Sequence, residues 1–173
     1  MRVSRWIATA GVVCLVAGPI GQFVQYLVTP IDEGNTVYAQ VAQAAAHLAR
    51  MRWAIPLDLL ILLVAPAVLY AGALAGARVS KLAAAGAGLV FVTWLGAGYL
   101  LGSDILLYLA ATARDQTAAA TLVDGYLSYP LVEGLVVAYV VGHVVGFLLL
   151  GVALWRARAV PRWAAIAVAV WPF

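Results

Sequence analysis

His143 is the residue with most to explain. It falls near the middle of a greasy stretch, Leu131–Trp155, where an ionisable side chain is costly and by default faces protein or water. An imidazole at that depth can relay a proton, contact a ligand or ligate haem. It can also sit neutral, hydrogen-bonded to a carbonyl or a tyrosine on a neighbouring helix. A haem held by two histidines would need a second spanning histidine. The other histidine of the chain, His47, belongs to a connecting segment.

Carboxylates form the second group. Asp58 and Glu133 follow Pro56 and Pro130 at the predicted starts of two helices, where a first-turn acid gains from the helix dipole and from free backbone N–H groups. The same two acids, joined by Asp104, Gln22, Gln25 and the tyrosines at 26, 38, 99, 108, 126 and 129, would instead line a polar vestibule for a cation, an amine or a proton. Pro19 and Pro66 lie mid-stretch, and each frees the carbonyl four residues earlier, at Leu15 and Leu62. Such prolines either shape a helix or help line a substrate site. A pocket built from Pro19, Pro66 and His143 follows as a spatial expectation.

Other chemistry finds no footing. The single cysteine, Cys14, can make neither an intrachain disulfide nor a structural zinc site, and it reads as a buried, inert thiol. There is no Gly-rich phosphate loop, His-Glu-x-x-His, Gly-x-Ser-x-Gly or Cys-x-x-Cys. Neither a metal nor a cofactor is expected.

The elements that must position these groups are set by the solvent. The chain has 173 residues, 66% of them hydrophobic and only 10% charged, and its mean hydropathy is +1.03. So few charges cannot cover a water-soluble domain of this size, so lipid is the solvent for most of it. Four stretches, Trp6–Val28, Ile55–Ala77, Leu82–Gly102 and Leu131–Trp155, are each long enough as helices to cross a hydrocarbon core of about 30 Å. The first outruns a signal-peptide core and closes on no clean small-x-small site, so it reads as a retained helix. The fold class is all-α, a polytopic helical bundle forming one domain over 1–173.

Charge gives the orientation. Arg2, Arg5, Arg78, Lys81, Arg156, Arg158 and Arg162 share one side with no acid. The other side carries Arg50, Arg52 and Arg114 with Asp32, Glu33, Asp104, Asp115 and Asp124. The positive-inside rule makes the N-terminus cytoplasmic. Arginine-rich, lysine-poor composition points to a bacterial plasma membrane. The net charge of +3 reflects these loops, and nucleic-acid binding is not expected.

The connections carry structure of their own. Gln40, Gln43, His47 and Arg50 recur at helical spacing, with Val37, Val41, Ala45 and Leu48 on another face, which predicts an amphipathic helix at the outer surface. Residues Asp104–Ala113 and Ala118–Leu127 read as two shorter helical pieces broken near Arg114-Asp115. Gly134, Ala138, Gly142 and Gly146 repeat every four residues, a ladder that lets another backbone approach, inside one chain or between two. Pro56-Leu57-Asp58 resembles Pro130-Leu131-Val132-Glu133, and Ser80–Ala84 resembles Pro161–Ala165. This hints at a two-hairpin duplication over about 6–80 and 82–165. After Pro161 the chain begins what reads as a partial fifth span, as expected of a truncated longer protein or a half-inserted terminal segment.

The run from Gly142-His143 to Gly151, with Trp155-Arg156-Ala157-Arg158 and Pro161-Arg162-Trp163-Ala164, resembles small uncharacterised multi-pass membrane proteins of actinobacteria. The resemblance covers about half the chain and implies no activity, cofactor or site residue. Three functions remain open. One is binding or transport of a small amphipathic or cationic ligand through the outward vestibule. That module would act alone or as a homodimer; another function is an accessory subunit docked in a larger membrane complex. The third is a membrane enzyme acting on a lipid or isoprenoid substrate.

Overall fold

The computed structural model describes residues 5–32, 34–96 and 98–172. Among them every regular element is helical: α1 (Arg5–Val28), α2 (Val37–Ala46), α3 (Leu48–Ile61), α4 (Val64–Gly96), α5 (Gly98–Thr112), α6 (Gln116–Leu127), α7 (Pro130–Ala157) and α8 (Arg162–Val170). Three segments are long and apolar enough to cross a membrane: Thr9–Val28, Leu48–Gly76 and Pro130–Ala157. The large apolar side chains of α1, among them Val12, Val16, Ile20 and Phe23, are exposed. An apolar surface of that extent demands lipid or a partner rather than water.

The second span differs from its predicted bounds. Helix begins at Leu48 rather than Ile55 and pauses at Leu62-Leu63 before α4 resumes it. Pro66 explains the pause, because its ring and missing N–H forbid an unbroken ladder. The carbonyl of Leu62, expected to be free, instead accepts from the N–H of Ala65 at 3.2 Å. The chain then bends at Val79 (φ −135°, ψ 54°). The two halves of α4 fold onto one another through small residues. A Cβ added at Gly72 would lie 2.5 Å from that of Ala87, and Ala71, Ala75 and Ala83 are buried beside them.

Glycines set the other close approaches. The second half of α4 lies along α7. Side chains added at Gly86 or Gly146 would strike backbone: 2.6 Å from the amide nitrogen of Leu150 and 2.9 Å from that of Val90. Gly142 meets the Thr93 side chain. Farther along α7, a Cβ on Gly151 would meet Ala165 O and Ala169 N of α8, both at 2.8 Å. On α1, Gly18 faces Val64 and Gly21 faces Leu60, which seats α1 on α3 and α4. Gly134 has open space around it and Ala138 is exposed, so only the latter half of the predicted ladder packs within this chain.

Two apolar cores result. One joins α4, α7 and α8 around Val68, Val90, Trp94, Leu150 and Leu154. The second joins α2, α3, α5 and α6 around Val41, Ala44, Met51, Leu107 and Val123. In the second core α2 is short. Thr36 caps it by accepting from the N–H of Ala39, and it ends at Ala46, so Leu48 and Arg50 of the expected longer helix belong to α3. The expected break after α5 is present, with Asp115 capping α6 by accepting from the N–H of Ala118 at 2.9 Å.

Candidate functional site

Asp58 lies at the seam of the two cores. It follows Met51 and Ala54, which are buried at the α2–α6 end, and precedes Ile61 of the main bundle. The early start of α3 moves it from the expected first turn to the eleventh helical residue, away from the free amides that would have explained a structural acid. Only 5% of Asp58 is exposed, and its Oδ2 is buried with no hydrogen-bond partner.

Its neighbour is a second acid. Asp104, one turn before Leu107 on α5, lies close enough to Asp58 for the two carboxyl groups to act on each other through charge. Two carboxylates side by side offer only acceptor oxygens. Gln22 stands at a comparable level on α1. Gly21 touches Leu60 and Gly18 touches Val64 on antiparallel helices, which puts Gln22 and Asp58 within about 2 Å in height at 1.5 Å rise per residue. Gln22 Oε1 is also buried without a partner, as is Thr29 Oγ1 two turns on. Gln25, half-buried, occupies the same end of α1. Three oxygens at this end of the chain, on Gln22, Thr29 and Asp58, are therefore left unsatisfied.

Arg50 joins two helix ends here rather than neutralising the acids. Its Nε donates to Val28 O and its Nη2 to Leu27 O, each at 3.1 Å. These bonds tie the last carbonyls of α1 to the first turn of α3.

His143 is placed elsewhere. It is 9% exposed and packs among Trp94, Tyr139 and Phe147, with ring centroids 5.6, 5.4 and 4.9 Å away. Its Nδ1 and the Nε1 of Trp94 are both buried without partners. Helices α3 and α7 form no substantial interface among the described residues, so His143 is not joined to Asp58. Glu133 is exposed in the first turn of α7, as a dipole-stabilised acid should be. Pro19 lines an apolar cleft of about 200 Å³ with Val64, Val68, Phe147, Val168 and Trp171. Pro66 is exposed and lines neither this cleft nor another at 155–162. The predicted Pro19–Pro66–His143 pocket thus reduces to Pro19 with Phe147, whose ring contacts His143.

Among the described residues no group of three or more His, Cys, Asp or Glu side chains could hold a metal ion. The aromatic setting of His143, above all Trp94, was not read from the sequence. Neither was the α1 seam, although Gly11, Cys14, Gly18, Gly21 and Gln25 alternate spacings of three and four, the signature of one packed stripe. Comparison with family models, with characterised proteins and with solved structures finds no match for this chain.

Proposed function

We propose that this protein is an integral membrane module that binds or transports a small cationic ligand, with the Asp58–Asp104 pair as its acceptor. The carrying observation is the buried Asp58 carboxyl, which faces another acid and has one oxygen unpartnered. Leaving such an atom unsatisfied costs about 1–3 kcal/mol, and ionisable groups buried within a membrane span mark ligand or proton pathways. Gln22 and Thr29 supply further acceptor oxygens toward the α2–α6 end, which serves as the vestibule. A compact ligand fits best, either a proton or a small amine, because neither described cleft is lined by Asp58 or Asp104.

The membrane is a bacterial plasma membrane, crossed four times with the N-terminus in the cytoplasm, as the arginine distribution favours. The second half of α4 supports the fourth crossing. It runs along α7 from the Gly86–Leu150 contact to the Trp94–Tyr139 contact, returning the chain to the end where α7 begins. In this frame α2 and α6 lie at the outer surface.

Flux of protons, sodium and methylammonium into proteoliposomes tests the reading. Cation flux abolished by Asp58→Asn supports it. Absence of flux and of binding for every cation, proton included, or flux indifferent to Asp58→Asn, rejects it. An accessory-subunit reading has its own observation, the exposed small residues Gly134 and Ala138, which leave one α7 face open to another helix.

A further inference from the structure

The larger cleft lies where the chain turns from α7 into α8. Trp155, Arg156, Arg158, Val160, Pro161 and Arg162 line an open space of about 680 Å³. The segments that meet at this end carry no acidic side chain to neutralise its three guanidinium groups: no Asp or Glu occurs after Glu133, between Asp58 and Asp104, or before Asp32. Arg78, at the same end, is committed to structure, its Nη1 donating to Ala157 O at 2.9 Å.

Arg158 occupies a position that backbone physics would give to glycine. It closes α7 in the left-handed region (φ 52°, ψ 36°), the single non-glycine residue with positive φ among those described. The N–H of Ala159 then reaches back to Leu154 O at 3.3 Å, a closure in which glycine is the usual residue because a Cβ is strained there. An arginine kept at that strained position sets a guanidinium in the cleft wall. Pro161 and Arg162 begin α8, so its positive dipole end opens on the same space. Trp155 and Trp163 are exposed around it, and indoles favour the headgroup level of a bilayer.

The geometry points to a binding site for a phosphate oxyanion, held by Arg156, Arg158 and Arg162, with the headgroup of an anionic phospholipid as its source. Arginine suits this ligand because its planar fork meets phosphate oxygens two at a time.

The test uses the full chain reconstituted in mixed phosphatidylglycerol–phosphatidylcholine vesicles, with retained lipid read by native mass spectrometry. Phosphatidylglycerol should be retained in preference, and Arg158→Gly should lower that retention about fivefold, the factor for one basic residue near an anionic membrane. This variant relieves the left-handed strain, so circular dichroism and thermal stability should hold or improve while binding falls. Arg162→Gln should act likewise, and Arg52→Gln, near the opposite end, should not. If instead no lipid is preferred but inorganic phosphate protects the arginines from phenylglyoxal in wild type and not in Arg158→Gly, the oxyanion site stands with a soluble source. Equal retention of both lipids with no effect of phosphate overturns the inference, as does an Arg52→Gln loss equal to that of Arg158→Gly.

Discussion

Replacing Asp58 with leucine separates a working acid from a structural one. In the native chain Asp58 Oδ2 is buried without a partner, and an unsatisfied buried polar atom costs about 1–3 kcal/mol. Leucine removes that cost and adds apolar surface at a seam already lined by Met51, Ala54 and Ile61. The remaining carboxyl, Asp104, is only half-buried and can be hydrated. The variant should therefore unfold at the same denaturant concentration as wild type or a higher one, with a gain of up to about 1–3 kcal/mol. Ligand linkage should run the other way. At a hundredfold excess over its dissociation constant, methylammonium or another bound cation should stabilise wild type by about 2.7 kcal/mol and the leucine variant not at all. Denaturant unfolding in lipid nanodiscs, with and without the cation, reads both effects. A loss above about 2 kcal/mol without ligand would make the carboxyl a structural member of the fold. An undiminished cation effect in the variant would remove Asp58 from the site. Either result refutes the reasoning.

Further expectations follow from the packing. Gly146→Leu must displace the Val90 backbone and should destabilise the bundle by about 1–3 kcal/mol or more in the same unfolding assay, whereas Gly134→Leu, which meets nothing within 4 Å, should leave stability unchanged. If the chain associates through its open α7 face, Gly134→Leu should break that association in native mass spectrometry. His143→Phe removes the orphaned Nδ1 from an aromatic cluster, so it should preserve or raise stability and leave cation flux within about twofold, a 0.4 kcal/mol effect. Cysteines placed at Asp32 and Ala159 should label from opposite sides of sealed vesicles. Labelling from one side would overturn the proposed topology.

How much of this was legible depended on the kind of signal. Hydropathy exposed the solvent and the helices, since the need for internal backbone hydrogen bonds in lipid leaves a long apolar record. Breaks also showed, as at Arg114-Asp115 ahead of the Asp115 cap. The start of α3 did not, because Arg50 and Arg52 interrupt the apolar run while their side chains reach outward. Arg50 bonds the end of α1. Asp58 and Asp104 were both visible as candidates, but their meeting was not, because it depends on how α5 packs against α3. Spacing along one helix cannot show what a neighbouring helix brings. The ladder on α7 shows the same limit. Its period of four drifts around the helix, so Gly142 and Gly146 face α4 while Gly134 and Ala138 turn outward. His143 looked like a pocket residue because ionisable groups at that depth usually are, and Trp94, too distant in sequence to be linked with it, supplies its actual surroundings.

Carbodiimide labelling tests the central claim most directly. Dicyclohexylcarbodiimide reacts with a carboxyl in an apolar setting, and Asp58 is 5% exposed with its Oδ2 unpartnered beside Asp104. Peptide mass mapping of the chain labelled in its membrane should find one modification, on Asp58 or Asp104, suppressed by the bound cation and lost in Asp58→Asn. Labelling confined to Glu133, or labelling of the pair that no cation suppresses, would contradict the account.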